Sequence, residues 1–387
     1  MNRTGSGRRW PLAGMLVFCA LLGRPPAATA EPLRAGPTSW PTFRGDSGLS
    51  GVAPTALPRR LSLRWSFRTG DVVKSSPVAA RGRLYVGSSD GRLYCLELAS
   101  GREIWAYDAG APIEAPPLTD GEGVYVGTLE GVLLALDAAT GAKRWEFETR
   151  ARIAGSANLF RRGGSAPTLV LVGSYDGTLY AVDAADGSLA WSYSTENYIN
   201  GAPALAGNLV AVGGCDARLH LVSALDGTPV AAPDTGAYIA ASPAVAEGRA
   251  FIGNYADRLV CVELSSGRIL WEYENDRPGG AFFSSPAADG LDVVVGSRDG
   301  RLHCVDARTG ARRWTYETGG AIDGSPVIAD GRVVFGTGDG RLAILSLSDG
   351  REVWSYELGE AIVGSPAVVG GLVVVGSDDG RVYAFGE

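Results

Sequence analysis

The chain has 387 residues, 45% of them hydrophobic, with 55 glycines and a formal charge of −7. That composition excludes disorder, which needs few apolar residues and a high net charge, and its glycine content leaves little room for long helices. The acidic balance argues against nucleic acid as a partner.

Residues 1–30 read as a secretory signal peptide. Arg3, Arg8 and Arg9 precede an apolar run from Leu12 to Leu22, and the small triplet Ala28-Thr29-Ala30 follows Pro25-Pro26. The apolar run is too short to span a bilayer as a helix, so the mature protein is expected without a transmembrane segment, in the periplasm or secreted. Cleavage after Ala30 removes four arginines and no acids, leaving 31 basic against 42 acidic residues. Residues 31–60 form a lead-in segment whose stretch WPTFRGDSGLSG, Trp40 to Gly51, reads as a strap lying on the rest of the fold.

From residue 61 to 387 one unit repeats. Glycines stand at 87, 127, 173, 213, 253, 296, 336 and 376, about 40 residues apart, the period of propeller blades. Three residues after most of them comes a tight-turn dipeptide, as in Asp90-Gly91 or Asp339-Gly340, degraded to Asp216-Ala217 and Ala256-Asp257 in blades four and five. Eighteen residues after the glycine stands Trp105, Trp145, Trp191, Trp271, Trp314 or Trp354, with Ala231 in blade four. Ten residues before it lies a proline in seven units, with Ala157 as the exception. Each unit is therefore four short strands. Runs such as LYVG and VVVG are apolar without alternation, so both faces of each sheet must be covered, as blades stacked around an axis cover them.

The ends specify closure. The last unit stops short of its Trp strand, whereas the repeat region opens with a surplus one, LSLRWSF, around Trp65. An all-β, eight-bladed propeller of four-stranded antiparallel blades follows, with the N-terminal strand completing the last blade. Trp65 and the six tryptophans named above are expected to dock blade on blade. Cys95, Cys261 and Cys304 share a third-strand column too widely spaced for disulfides and read as free thiols.

No catalytic or metal-binding set can be assembled. His220 and His303 are the only histidines, and both occupy a column that elsewhere holds Tyr94, Tyr180 and Tyr383. The candidate site lies where the repeat lapses. Beside the uniform packing column Val73, Ile113, Ile153, Ile199, Ile239, Phe282, Ile322 and Ile362, two positions on the innermost strand change character from blade to blade. They place Lys74, Glu114, Arg152, Tyr198, Asn200, Tyr238, Phe283 and Asp323 around a funnel at one end of the axis, a mixture of charges, amides and aromatics suited to ligand binding.

Strings such as LYAVDAADGSLAW and LLALDAATGAKRW resemble the docking motif of the PQQ-like repeat over Leu61 to Glu387. The resemblance implies one of two settings. Quinoprotein alcohol dehydrogenases hold pyrroloquinoline quinone and calcium over the axis. BamB-type assembly factors of the outer membrane bind other proteins and carry no quinone. The lead-in is also similar to segments before secreted PQQ-like propellers. The insertions, the adjacent Cys-Cys pair and the C-x-x-C-H haem site of the dehydrogenase type are lacking here. The expectation is therefore a monomeric, non-catalytic binding or scaffold propeller without cofactor, whose partner is a cell-envelope protein or small ligand at the funnel. The alternative is a reduced quinone-dependent oxidoreductase. In it Asp323 would be the base, Lys74 or Arg152 would contact the quinone oxygens, and Glu114 and Asn200 would face calcium.

Overall fold

A computed structural model describes residues 1–2, 32–58, 60–163 and 166–387. The signal-peptide reading falls almost wholly on residues 3–31, outside the described residues. The repeat region forms eight four-stranded antiparallel sheets in a ring, and no helix occurs among the described residues. Blade one illustrates the plan, with strands Val78–Ala80, Arg83–Gly87, Arg92–Glu97 and Glu103–Asp108 running from the axis outwards. The ring closes as its ends require. Ser62–Arg68 is the outer strand of the last blade and pairs antiparallel with Arg381–Gly386, Ser62 opposite Gly386 and Arg68 opposite Arg381.

Two columns make each junction. A Cβ added to Gly127 would fall 2.2 Å from the Ile153 side chain of the next blade, and the same holds at Gly336 against Ile362 and at the closing pair Gly376 and Val73. Glycine is used here because the neighbour's aliphatic side chain occupies its missing side chain's place. Farther out, six of the seven docking indoles rest on the turn glycine of the next blade, Trp354 at the closure being the exception, and each donates to a backbone carbonyl there, from Trp65 to Leu98 at 3.0 Å, from Trp145 to Ala184 at 3.0 Å and from Trp314 to Leu347 at 2.8 Å. The bulge that precedes each of these tryptophans in the outer strand turns the indole towards its neighbour.

Innermost strands leave one edge unpaired around the axis, which is costly where it is buried. The lead-in supplies the partner. Its carbonyls and amides follow the ring in blade order: Pro37 accepts from Gly370 of blade eight, Trp40 pairs with Ala79 of blade one, and Pro41 accepts from Thr119 of blade two. Ser47 then accepts from Asn158 Nδ2 and Leu205, Gly48 from Val245, Ser50 from Ala288, and Gly51 from Ile328, after which Val52–Ala53 runs parallel to blade seven's inner strand. The strap thus touches all eight blades and seals one end of the axis. Arg44, fully buried beneath blade six, donates to the Pro286 carbonyl at 2.9 Å, and burial pushes its guanidinium down to about 9.

Cys95, Cys215, Cys261 and Cys304 are free. His220 and His303 receive or donate a hydrogen bond at Nδ1 with Tyr193 and Tyr273 of the preceding blade, and His220 Nε2 reaches the turn carboxylate of Asp216, the place taken by the hydroxyls of Tyr94 on Asp90 and Tyr180 on Asp176.

Candidate functional site

The funnel opens at the end of the axis opposite the strap. Its strands are fixed by two rings of backbone hydrogen bonds. The amide of Ile113 donates to Ser88 of the preceding blade, and the amide of Leu129 donates back to Pro112; the same pair of contacts recurs around the circle, as in Ile199 to Ser174 and Cys215 to Tyr198. Below them runs a belt of serine hydroxyls. The amide of Ala202 donates to Ser242 Oγ, Ser242 to Ser285, Ser285 to Ser325, Ser325 to Ser365 and Ser365 to Ser76, at 2.7 to 3.0 Å. This rigid base sets where each variable side chain points.

A cavity of about 170 Å³ lies on the axis. Lys74, Glu114, Asn200, Phe283 and Asp323 line it together with the serine belt, and Phe43 of the strap also lines it. Arg152, Tyr198 and Tyr238 are not part of its lining; Arg152 and Tyr198 pack on Tyr175, and Tyr238 packs on Tyr255. The Lys74 ammonium is 3.0 Å from Glu114, and this hydrogen bond holds its pKa above the ordinary lysine value. Arg298 forks Asp323 through Nε and Nη2 at 2.8 and 3.0 Å, which raises the arginine's pKa in turn. Asn200 donates to the Ala240 carbonyl and accepts from the Tyr175 hydroxyl.

Across blades three to six the rim is aromatic. Tyr175 stacks on Tyr198 at 5.2 Å and 17°, and the Arg152 guanidinium lies 3.9 Å from the Tyr175 ring centre. Tyr238 meets Tyr255 edge-on, Tyr255 lies 4.4 Å from Phe283, and Arg298 covers Phe283 at 3.4 Å. Tyr198, Tyr238 and Tyr255 remain about half exposed, at 54%, 56% and 46%. Blades eight, one and two present charge instead, with Lys74, Glu114 and Asp378, whose pKa is raised by burial.

Three members of this crescent, Tyr175, Tyr255 and Arg298, are absent from the sequence-derived ring. A signal for them existed. They stand two residues after the first glycine of each unit, in a column that reads Ser89, Leu129, Tyr175, Cys215, Tyr255, Arg298, Gly338 and Asp378 and varies as much as the funnel strands do.

The family model for the outer membrane protein assembly factor BamB matches residues 59–168, 159–230 and 298–387, well over half of the chain. The chain belongs to this BamB-type family of PQQ-like propellers. Among solved structures, BamB from Moraxella catarrhalis is similar at 22% identity, with 85% of this chain and 100% of that one covered and a TM-score of 0.69. A quinohemoprotein alcohol dehydrogenase from Pseudomonas putida is 14% identical, with coverage of 90% and 80% and a TM-score of 0.75. A europium-containing methanol dehydrogenase is likewise 14% identical, with 92% and 99% covered and a TM-score of 0.75. At such identities these neighbours establish the shared propeller fold. The search of curated proteins found no match.

The funnel of this BamB-type chain does not fit a calcium-held quinone. Asp323 is forked by Arg298, Glu114 is held by Lys74, and both ends of the Asn200 amide are engaged, so the base and the two calcium ligands of that reading already have partners. The axial cavity of about 170 Å³ is also below the ~300 Å³ at which cofactor pockets begin. Among the described residues, no three His, Cys, Asp or Glu side chains come together as a metal set.

Proposed function

We propose that this chain is a non-catalytic, monomeric binding propeller of the bacterial cell envelope, periplasmic or secreted, which captures a protein partner on the aromatic crescent of its funnel and acts in envelope assembly. The observation that carries this reading is the half-exposed set Tyr198, Tyr238 and Tyr255, braced from behind by Tyr175 and Phe283 and bracketed by Arg152 and Arg298. Tyr and Arg dominate the energetic centres of protein interfaces, because they bury large areas at a small cost in conformational entropy. These rings are held by neighbours and lose little freedom on docking. Kinship with an outer membrane protein assembly factor supports both the compartment and a protein as partner.

The test is crosslinking of the full-length mature chain in cell-envelope extract beside a Tyr238→Ala, Tyr255→Ala double variant. The expected result is a partner captured by the wild type and lost by the variant at an unchanged melting temperature. Equal capture by both, or none by either, overturns the assignment.

A further inference from the structure

Five serines on consecutive blades, Ser242, Ser285, Ser325, Ser365 and Ser76, line the axial cavity at the floor of the funnel, and each is more than nine-tenths buried, at 4 to 6% exposure. Each precedes the proline of its unit, so the repeat sets the same side chain at the same depth on five innermost strands. Their structural duty uses the oxygen alone. Every one of them accepts a backbone amide from the preceding blade, at 2.7 to 3.0 Å. A hydroxyl also carries one proton to donate, and none of these five donates to any described residue. The remaining blades show the contrast. Ser156 of blade three turns its proton onto the Ala157 carbonyl at 3.0 Å, and blades two and four carry Pro116 and Ala202 at this position. The free protons form an arc over blades five, six, seven, eight and one.

The charges around this arc select the sign of an occupant. The two carboxylates that line the cavity are engaged, Glu114 by Lys74 and Asp323 by Arg298. Below the floor stand Phe43 of the strap and, 5.9 Å from its ring centre, the Arg44 guanidinium, which is fully buried and whose Nε and Nη1 meet no hydrogen-bond partner among the described residues. Asp46, the carboxylate that acts on it, binds the amide and hydroxyl of Ser50 instead. Serine oxygens that already accept an amide are weaker ligands for a cation, and their own protons are stronger donors.

We propose that this arc holds a small inorganic anion, chloride, on the axis at the floor of the funnel. A spherical halide accepts hydrogen bonds from several directions at once, which is what hydroxyls set around an arc supply. Its burial is tolerable only where donors and an opposite charge meet it, and the serine protons and Arg44 provide both. The bound ion joins the innermost strands of five blades and stiffens the ring. This site goes beyond the function proposed above and is independent of it, because Tyr198, Tyr238 and Tyr255 of the crescent do not line the cavity.

The test uses the full mature chain. Crystals grown with sodium bromide as the only halide are expected to show an anomalous peak on the axis among the five hydroxyls. In solution, replacing gluconate by chloride at constant ionic strength is expected to raise the melting temperature by a few degrees and to saturate in the millimolar range, and chlorine-35 line broadening follows the same titration. The double variant Ser285→Ala, Ser325→Ala removes two donors and is expected to weaken the chloride titration at least tenfold, whatever its own melting temperature. If that variant does not fold, the bromide peak in the wild type decides. Absence of the axial peak overturns the inference, as does a rubidium peak in its place or a chloride titration that the double variant leaves unchanged.

Discussion

Positions that repeat and positions that vary lie within a few residues of each other on the same strands, yet they obey different physics. Ile199 meets Gly173 in the same way that Ile362 meets Gly336, because every junction buries both faces of a sheet and must be filled to the density of a protein interior. One residue on, Asn200 and Val363 share nothing beyond their place on the funnel wall. There the side chains face the axis and one another, so each blade is free to differ. Lapses in the packing columns are therefore expected to cost stability, and lapses on the funnel to alter only what binds.

The sharpest test of that division is Trp145→Ala. The ring is 8% exposed, covers Gly187 and donates to Ala184. Its removal leaves a cavity at a blade junction, and a loss of about 3–5 kcal/mol is expected in urea unfolding. A loss below about 1 kcal/mol would mean that blades hold together without their indoles, and the division between the columns would collapse.

His303 tests a substitution within a packing column. Its ring is fully buried, and desolvation pushes its pKa from the ordinary 6.5 down to about 4. The unfolded chain then binds the proton more readily than the folded one. Stability is whole above pH 6.5 and falls with acidification from 6.5 to about 4, by up to ~1.4 kcal/mol per pH unit. His303→Leu, which copies Leu134 in the same column of blade two, is expected to flatten the curve of melting temperature against pH in that window. An unaltered curve would assign the acid sensitivity elsewhere.

Much of the ring was legible because repetition turns packing into spelling. The glycine, tryptophan and surplus LSLRWSF strand all announce junctions that must be identical, and the pairing of Trp65 with Ala384 follows. The course of the strap was not legible in detail. It binds through backbone carbonyls such as those of Pro41, Gly48 and Gly51, which any residue carries, so its sequence records little of the path. The funnel was read in part. Strand periodicity located Tyr198, Tyr238 and Phe283, but Tyr175 and Tyr255 reach Tyr198 and Phe283 from the hairpin of the preceding blade, Tyr255 and Arg298 reach Tyr238 and Phe283 from the hairpin of their own blade, and such contacts between separate segments are invisible to a period of two. The fork of Arg298 on Asp323 likewise joins two blades through side-chain geometry that residue identity does not encode.

The smallest effect lies in the two degraded turns. Six blades use glycine at the left-handed position, from Gly380 at φ 76° to Gly91 and Gly340 at 87°, while Ala217 and Asp257 are held there at 69° and 59°. An alanine in that region costs about 1–2 kcal/mol, and the extra freedom glycine gives the unfolded chain takes back about 0.4–1 kcal/mol. Ala217→Gly is therefore expected to stabilise by up to about 1 kcal/mol, read as a higher urea midpoint at an unchanged slope. Asp257→Gly is expected to gain less. Aspartate tolerates the left-handed region better than alanine, and the carboxylate of Asp257 accepts the amide of Gly279 at 3.0 Å, a bond the glycine would forfeit. If both variants gained equally, the Asp257 contact would contribute nothing, and that turn would be a lapse in the packing pattern with no compensation.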